Sequence, residues 1–321
     1  MIPIVDLHQD FLSAWRLFDL DPWTGEDPWT RHGNLDRLRR TGYRLVVQAV
    51  FPLHRHWGTY LPEDPLAQAL RTIERLRELV EQAKDRLRLI TRREDLDGLL
   101  ERDQLGILLG YEGMYGITDR WVLRALHRLG VRVLGLTWNV SNLVATGAWD
   151  DRDRGLSGLG RDLLLEADRL GFLLDLAHAS PRTYEEVLAL PLQRPPFVSH
   201  TGILPGKPQT RRNISLDLAR RVVHRGGIVG LGLAKLFLED PGATLDTVAD
   251  RVRLLLREIP DGLASGSDFF GFGGRDTIEG LETVEGIRRL EQRLLEQGVA
   301  REALEAYLWR NAFRYLKANL P

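Results

Sequence analysis

The chain has 321 residues, 43% of them hydrophobic, and a formal net charge of -1. That is enough apolar side chain for a large core, with no excess of positive charge to hold nucleic acid or an anionic membrane. It contains no cysteine, so disulfides and thiolate metal sites are excluded, and any metal must be held by His, Asp and Glu.

Apolar runs alternate with amphipathic ones along the chain. The first run, IPIVDLH (2–8), is followed by a loop-like stretch, 14–34, whose Trp15, Trp23 and Trp29 are expected to form a folded cover. YRLVVQAVF (43–51) leads to an amphipathic helix over 65–87, and LGILLGYEG (105–113) to a helix over 119–129. VRVLGLTW (131–138) precedes a helix over 159–170, and GFLLDLAH (171–178) one over 181–190. Ser180 is the expected N-cap of the latter and Pro181 its first residue. PFVSH (196–200), GGIVGLGLA (226–234) and GLASGSDFF (262–270) complete the strands, with helices over 214–225, 244–258, 284–297 and 300–317. Near-continuous apolarity suits strands covered on both faces, as in parallel sheets. Eight strands alternating with helices predict one α/β domain over 1–321, a (β/α)8 TIM barrel. The alternative, a doubly wound open sheet, lacks a Gly-rich phosphate loop after the first strand.

The polar residues that interrupt this pattern fall at strand ends, where such barrels carry their active sites. His8 and Asp10 end the first strand, Glu112 the third, His178 the fifth, His200 the sixth and Asp268 the eighth. His8 and Asp10, two apart, point the same way on an extended strand, about 6.5 Å apart at Cα. Imidazoles and carboxylates suit zinc-like ions, and a carboxylate such as Glu112 can bridge two of them, acidifying a shared water. The other histidines provide a contrast: His127 and His224 lie in helices and are expected to be solvated, and His54 and His56 read as a solvated loop.

In order and spacing, DLHQD (6–10), GYEG (110–113), LGVRVLGLTWN (129–139), LLDLAHAS (173–180), PPFVSHTG (195–202), RRN (211–213), GSDFFG (266–271), EGLE (279–282) and NAFRYL (311–316) resemble the membrane (renal) dipeptidase family of zinc-dependent amidohydrolase barrels. The resemblance implies two zinc ions, with His8 and Asp10 on one, His178 and His200 on the other, and Glu112 bridging. It implies that Arg212 holds the substrate's carboxylate, a task for a planar fork of donors. Two positions depart from the family pattern. Trp138 stands where a histidine is common, and its indole cannot carry a proton to the reaction. At strand eight DFDG becomes DFFG, so Phe270 replaces an aspartate expected to take a proton from water and hold the substrate's ammonium. Losing such a base costs ~10²–10⁴ in rate. Asp268 is expected to face the same way as Phe270, one layer deeper.

The expected function is therefore hydrolysis of a dipeptide or small carboxylate-bearing amide, with Glu112 and Asp268 as catalytic groups and Arg212, Trp138 and Phe270 facing the substrate. Phe270 would weaken action on ordinary dipeptides or redirect it to N-acyl amino acids or lactones. The alternatives are a catalytically impaired metal-binding barrel and a lactonase or phosphoesterase, the last served only by Lys207, Arg211 and Arg212 near the rim. No leader-like, membrane-spanning or lipid-anchor segment is read in the sequence. The partner is then a small molecule, with neither nucleic acid nor membrane, a homodimer is compatible, and the location is expected to be cytoplasmic.

Overall fold

Strands buried on both faces need neighbours on both sides, and the apolar runs find them. The computed structural model describes residues 1–52, 64–206 and 212–321; His54, His56, Lys207 and Arg211 lie outside these residues. Its strands are β1 (Ile4–Gln9), β2 (Tyr43–Val50), β3 (Leu87–Ile90), β4 (Leu105–Glu112), β5 (Val131–Gly135), β6 (Leu173–Asp175), β7 (Val198–Thr201), β8 (Ile203–Leu204), β9 (Ile214–Ser215), β10 (Val229–Leu231) and β11 (Leu263–Ser265). The hydrogen-bonded order is β6-β5-β4-β2-β1-β11-β10-β7, with every pair parallel. The two ends of this order meet. Asp175 of β6 bridges Phe197, just ahead of β7; Leu176 N–H donates to Phe197 O at 2.9 Å and Phe197 N–H to Leu174 O at 3.0 Å. Eight strands thus follow one another around a ring in chain order, the (β/α)8 arrangement, with the β6–β7 seam held by a single bridge.

The helices are α1 (Phe11–Phe18), α2 (Leu35–Thr41), α3 (Pro65–Gln82), α4 (Arg120–Arg128), α5 (Gly158–Leu170), α6 (Pro181–Leu188), α7 (Leu216–His224), α8 (Lys235–Leu238), α9 (Leu245–Glu258), α10 (Gly286–Glu296), α11 (Arg301–Glu305) and α12 (Asn311–Asn319). Most of the longer ones start on a side-chain oxygen that accepts an otherwise unpaired N–H: Asp64, Asp119, Ser157, Ser180, Ser215 and Thr244. The helix expected over 65–87 stops at Gln82, and Leu87–Ile90 instead pairs with the first half of β4. The C-terminal helix is interrupted by a π-helical turn, Ala306–Arg310. In the stretch expected to be loop-like, α1 occupies the first residues. Trp15 is buried against Phe11, and Arg86 stacks over Trp23 at 3.7 Å. His224 is exposed as expected, whereas His127 is half-buried against Phe172.

The last helix seals the end of the barrel opposite the strand C-termini. Asn311 Nδ2 donates to Pro260 O and Leu263 O at the start of β11, and Tyr315 Oη to Pro195 O ahead of β7. Tyr315, Leu316 and Leu320 join an apolar cluster containing Val5, Leu45, Leu108, Val133 and Leu173. Near the other end, backbone crowds backbone: a Cβ on Gly230 or Gly266 would stand 1.9 Å from Ser199 O. Gly266→Ala must therefore push β7 away from β10 and β11. It should cost at least ~1–3 kcal/mol, read as a lower denaturation midpoint; an unchanged midpoint would contradict this packing.

Candidate metal centre

The C-terminal strand ends gather the polar residues. His8 lies within β1 and Asp10 just after it, Glu112 closes β4, His178 follows β6 by three residues, His200 lies in β7, and Asp268 follows β11 by three. All are drawn into one cluster. His8 Nε2 is 3.3 Å from Asp10 Oδ2, 3.8 Å from Glu112 Oε2 and 3.6 Å from Asp268 Oδ1. Glu112 Oε1 is 3.1 Å from His178 Nε2 and 3.8 Å from His200 Nε2, and Asp268 Oδ1 is 3.9 Å from His200 Nε2. The rings of His8 and His200 stack with centroids 3.6 Å apart. Three overlapping groups have ligand atoms within 4.8 Å of one another and could each hold a metal ion: His8, Asp10 and Glu112; Glu112, His178 and His200; His8, His200 and Asp268.

The hydrogen bonds behind the rings fix which nitrogens face this space. His178 Nδ1 donates to Asn139 Oδ1 at 2.7 Å, which leaves the lone pair on Nε2. Ser199 Oγ donates to Asp175 Oδ2 at 2.5 Å, so at 2.8 Å it can only accept from His200 Nδ1; His200 Nε2 therefore also carries a lone pair. These two Nε2 atoms stand 3.0 Å apart. Two lone pairs so close repel unless a cation sits between or beside them. His8 Nε2 is buried, with no well-aligned hydrogen-bond partner among the described residues. The donor set thus fits a metal, with oriented neutral imidazoles and carboxylates around them.

The electrostatics agree. Burial pushes His178 and His200 well below the ordinary imidazole range, leaving them neutral. Burial also pulls His8 down, but Glu112, Asp10 and Asp268 outweigh it and push His8 up to about 10. Burial first, then Asp10, pushes Asp268 up to about 8. Burial likewise raises the Glu112 carboxyl well above its usual value. Three carboxylates enclosed around one imidazole call for positive charge.

Arg212 is buried beside the cluster. Its Nη1 and Nη2 donate to His200 O at 3.2 Å, and Nη2 is also 3.2 Å from His178 Nε2. Trp138 is half-buried next to His178, with ring centroids 5.8 Å apart, and lies between Phe51 at 5.0 Å and Trp149 at 6.4 Å. Trp149 is 46% exposed, so aromatic rings lead outward from the cluster.

Phe270 is not part of this arrangement. It is 1% exposed and packs edge-on to Phe11 at 5.5 Å, within the hydrophobic core. The expectation that it faces the substrate came from the family motif, and the expectation that Asp268 shares its face assumed that strand alternation continues to residue 270. β11 ends at Ser265, and both Asp268 (φ 63°) and Phe270 (φ 71°) adopt left-handed backbone, so the two side chains do not share a face. Asp268, expected one layer deeper, is in the cluster itself.

Asn139, Asp175, Ser199 and His32 were not singled out in the sequence. Asn139 and Ser199 adjoin Trp138 and His200, and Asp175 lies in LLDLAH, but a residue that orients a ligand carries no spacing of its own. Asp6 is similar: it accepts Ser267 N–H at 2.9 Å and Gln9 Nε2 at 3.2 Å, tying β1 to the segment after β11.

A parallel eight-stranded barrel with imidazoles and carboxylates converging at its strand C-termini has the build of a metal-dependent hydrolase. The family described as membrane dipeptidase (Peptidase family M19) matches residues 1–319, and the chain belongs to that family. It is 28% identical over 335 residues to an uncharacterized dipeptidase of Schizosaccharomyces pombe, covering 98% of this chain and 80% of that protein. It is 27% identical over 337 residues to dipeptidase verJ of Clonostachys rogersoniana, covering 98% and 84%. The fold is similar to that of a metallo peptidase from Rhodobacter sphaeroides liganded with a phosphinate mimic of the dipeptide L-Ala-D-Ala, with a TM-score of 0.85, 21% identity and 99% of each chain covered. The chain is a dipeptidase-like hydrolase of a metal-dependent family. No helix among the described residues is long and apolar enough to cross a membrane.

Two measurements probe this geometry. Glu112, Asp10 and Asp268 outweigh burial and raise the proton affinity of His8, so a cation must displace a proton in this cluster. Adding zinc to metal-free protein at pH 7 should therefore release protons from the His8, Glu112 and Asp268 cluster. Affinity should tighten as pH rises toward 10, and binding without proton release would remove His8 from the ligand set. Phe270→Asp buries a carboxylate in place of a packed ring and should cost ~3 kcal/mol or more. Unchanged stability in urea would place that ring in the cleft after all.

Proposed function

We propose that the chain hydrolyses dipeptides, or small amides bearing a carboxylate, with two divalent ions, preferentially zinc, at the barrel rim. The observation that carries this reading is the convergence of His8, Asp10, Glu112, His178, His200 and Asp268 beside the buried Arg212 guanidinium. His8 and Asp10 would hold one ion, His178 and His200 the other, and Glu112, with an oxygen toward each pair, would bridge them. Such ions supply an acidified water and polarise the amide carbonyl.

The remaining work falls to side chains. Arg212 offers its planar fork to the substrate's carboxylate. Asp268, next to His8 and His200, holds the proton that passes from the attacking water to the leaving amine. Trp138 carries no proton; with Phe51 and Trp149 it forms an aromatic wall suited to an apolar substrate side chain. The case for substrates lacking an ammonium rested on Phe270 facing the cleft. With that ring in the core, the acids Asp10 and Asp268 favour a substrate with a free amino group. The dipeptide mimic held by the structurally similar metallo peptidase supports the same class.

The test is a hydrolysis screen of zinc-loaded protein on free dipeptides, their N-acetyl forms and lactones. Free dipeptides should be cleaved fastest. Asp268→Asn should lower kcat by ~10²–10⁴, and Arg212→Lys should act mainly on KM. A metal-loaded protein that cleaves no dipeptide would overturn the reading and leave a non-catalytic metal-binding barrel.

A further inference from the structure

His32 belongs to no ligand set, yet it is fully buried close behind one. It arrives from the segment between α1 and α2. Asp27 folds that segment by accepting Trp29 N–H at 2.8 Å and Thr30 N–H at 3.1 Å. The fold delivers the imidazole against Phe269, Phe270 and Phe272, with ring centroids at 5.1, 5.8 and 4.7 Å. There His32 Nδ1 accepts Phe270 N–H at 2.6 Å.

This hydrogen bond settles the tautomer. Nδ1 can accept only when unprotonated, so the proton of the neutral ring is on Nε2. That nitrogen is buried, with no hydrogen-bond partner among the described residues. An unsatisfied buried donor is destabilising, and an apolar residue of similar size would avoid the cost. The imidazole is therefore accounted for by what Nδ1 does. Burial also holds the ring's pKa down to about 3, so Nδ1 remains an acceptor at any ordinary pH.

What Nδ1 holds is the turn that carries Asp268. Asp268 and Phe270 both sit in the left-handed region, which is strained for an L-residue. On one side the turn is tied to β1 and its end: Asp268 N–H donates to His8 O at 3.1 Å, and Asp10 N–H to Phe269 O at 2.9 Å. On the other side the tie is His32. Without an acceptor there, Phe270 N–H would be buried and unpaired, and the turn could relax by rotating a peptide toward another partner. Such a rotation two residues from Asp268 would re-aim its carboxylate.

We propose that His32 is a positioning residue: by holding Phe270 N–H, its Nδ1 fixes the turn that presents the Asp268 carboxylate to His8 and His200. The proposal rests on the reading of Asp268 as a working carboxylate of the site. It also gives the segment between α1 and α2 a task, as a strap that reaches the catalytic rim from outside the ring of strands.

The test compares His32→Leu, which fills similar volume without an acceptor, with His32→Asn, whose Oδ1 can replace Nδ1 as acceptor. Zinc affinity, kcat and KM on a dipeptide, and melting temperature are measured for both. His32→Leu should lose about tenfold or more in zinc affinity or kcat with KM little changed. His32→Asn should recover most of that loss although it fills less of the space. If His32→Leu does not fold, His32→Gln, which moves the acceptor out by one methylene, takes its place with the same expectation. Losses that merely follow melting temperature in both variants, or a His32→Leu protein with native kcat and zinc affinity, would overturn the proposal. Asp268→Asn is measured alongside. If it changes neither quantity, the reading of the site fails; if it lowers them while His32→Leu does not, only the role of His32 fails.

Discussion

The lone pairs of His178 Nε2 and His200 Nε2 face each other at 3.0 Å, and much of the molecule is arranged to keep them there. Left alone, either ring would turn its N–H toward the other or take up a second proton. The hydrogen bonds behind them prevent the first, through Asn139 on one ring and the Ser199–Asp175 pair on the other. Burial prevents the second. Arg212 Nη2 meets the His178 lone pair at 3.2 Å, and a cation bound beside both rings would relieve the rest of the crowding, the condition under which metal binding contributes to folding stability.

The backbone bears part of that cost. His178, Asn139 and Asp268 all sit at positive φ, where residues other than glycine are rarely found. Each is held from several directions. Thr137 Oγ1 and Ala148 N–H both donate to His178 O, and Asn139 O accepts Trp149 N–H at 2.7 Å. The same contacts brace the loop that carries Trp138 and Trp149. The aromatic group and the His178 side of the centre are thus one braced unit, with the Trp138 ring registered against the imidazole beside it.

The barrel and the polar residues gathered at its rim were legible in the sequence for one reason. A fully enclosed strand reads as an unbroken apolar run, so polar residues at its end stand out: His8, Glu112 and His200 could be found this way, and the family motifs supported the reading. What was not legible depends on geometry past the strand ends. Phe270 was placed on the substrate side because it stands where the family motif has its second aspartate, and Asp268 was given the same facing by counting in twos; the strand had ended at Ser265 and two left-handed residues broke that alternation. Asn139, Ser199 and His32 escaped notice because their roles lie in one hydrogen bond each, to an atom far away in sequence or on a neighbouring residue. α1 escaped notice because a short helix just behind a strand offers too few turns to show a period.

The correction at Phe270 changes the chemistry the barrel can support. Read as a lost aspartate, DFFG describes a site missing its base. With the ring in the core and Asp268 3.6 Å from His8 Nε2, the same four residues describe a site that keeps a carboxylate at the centre and packs an aromatic ring behind it. A phenyl ring wedged between Phe11 and His32 resists rotation of the turn more firmly than a solvated acid would, because moving it opens a cavity. Phe270 therefore bears on the support of the Asp268 carboxylate and leaves that carboxylate itself in place.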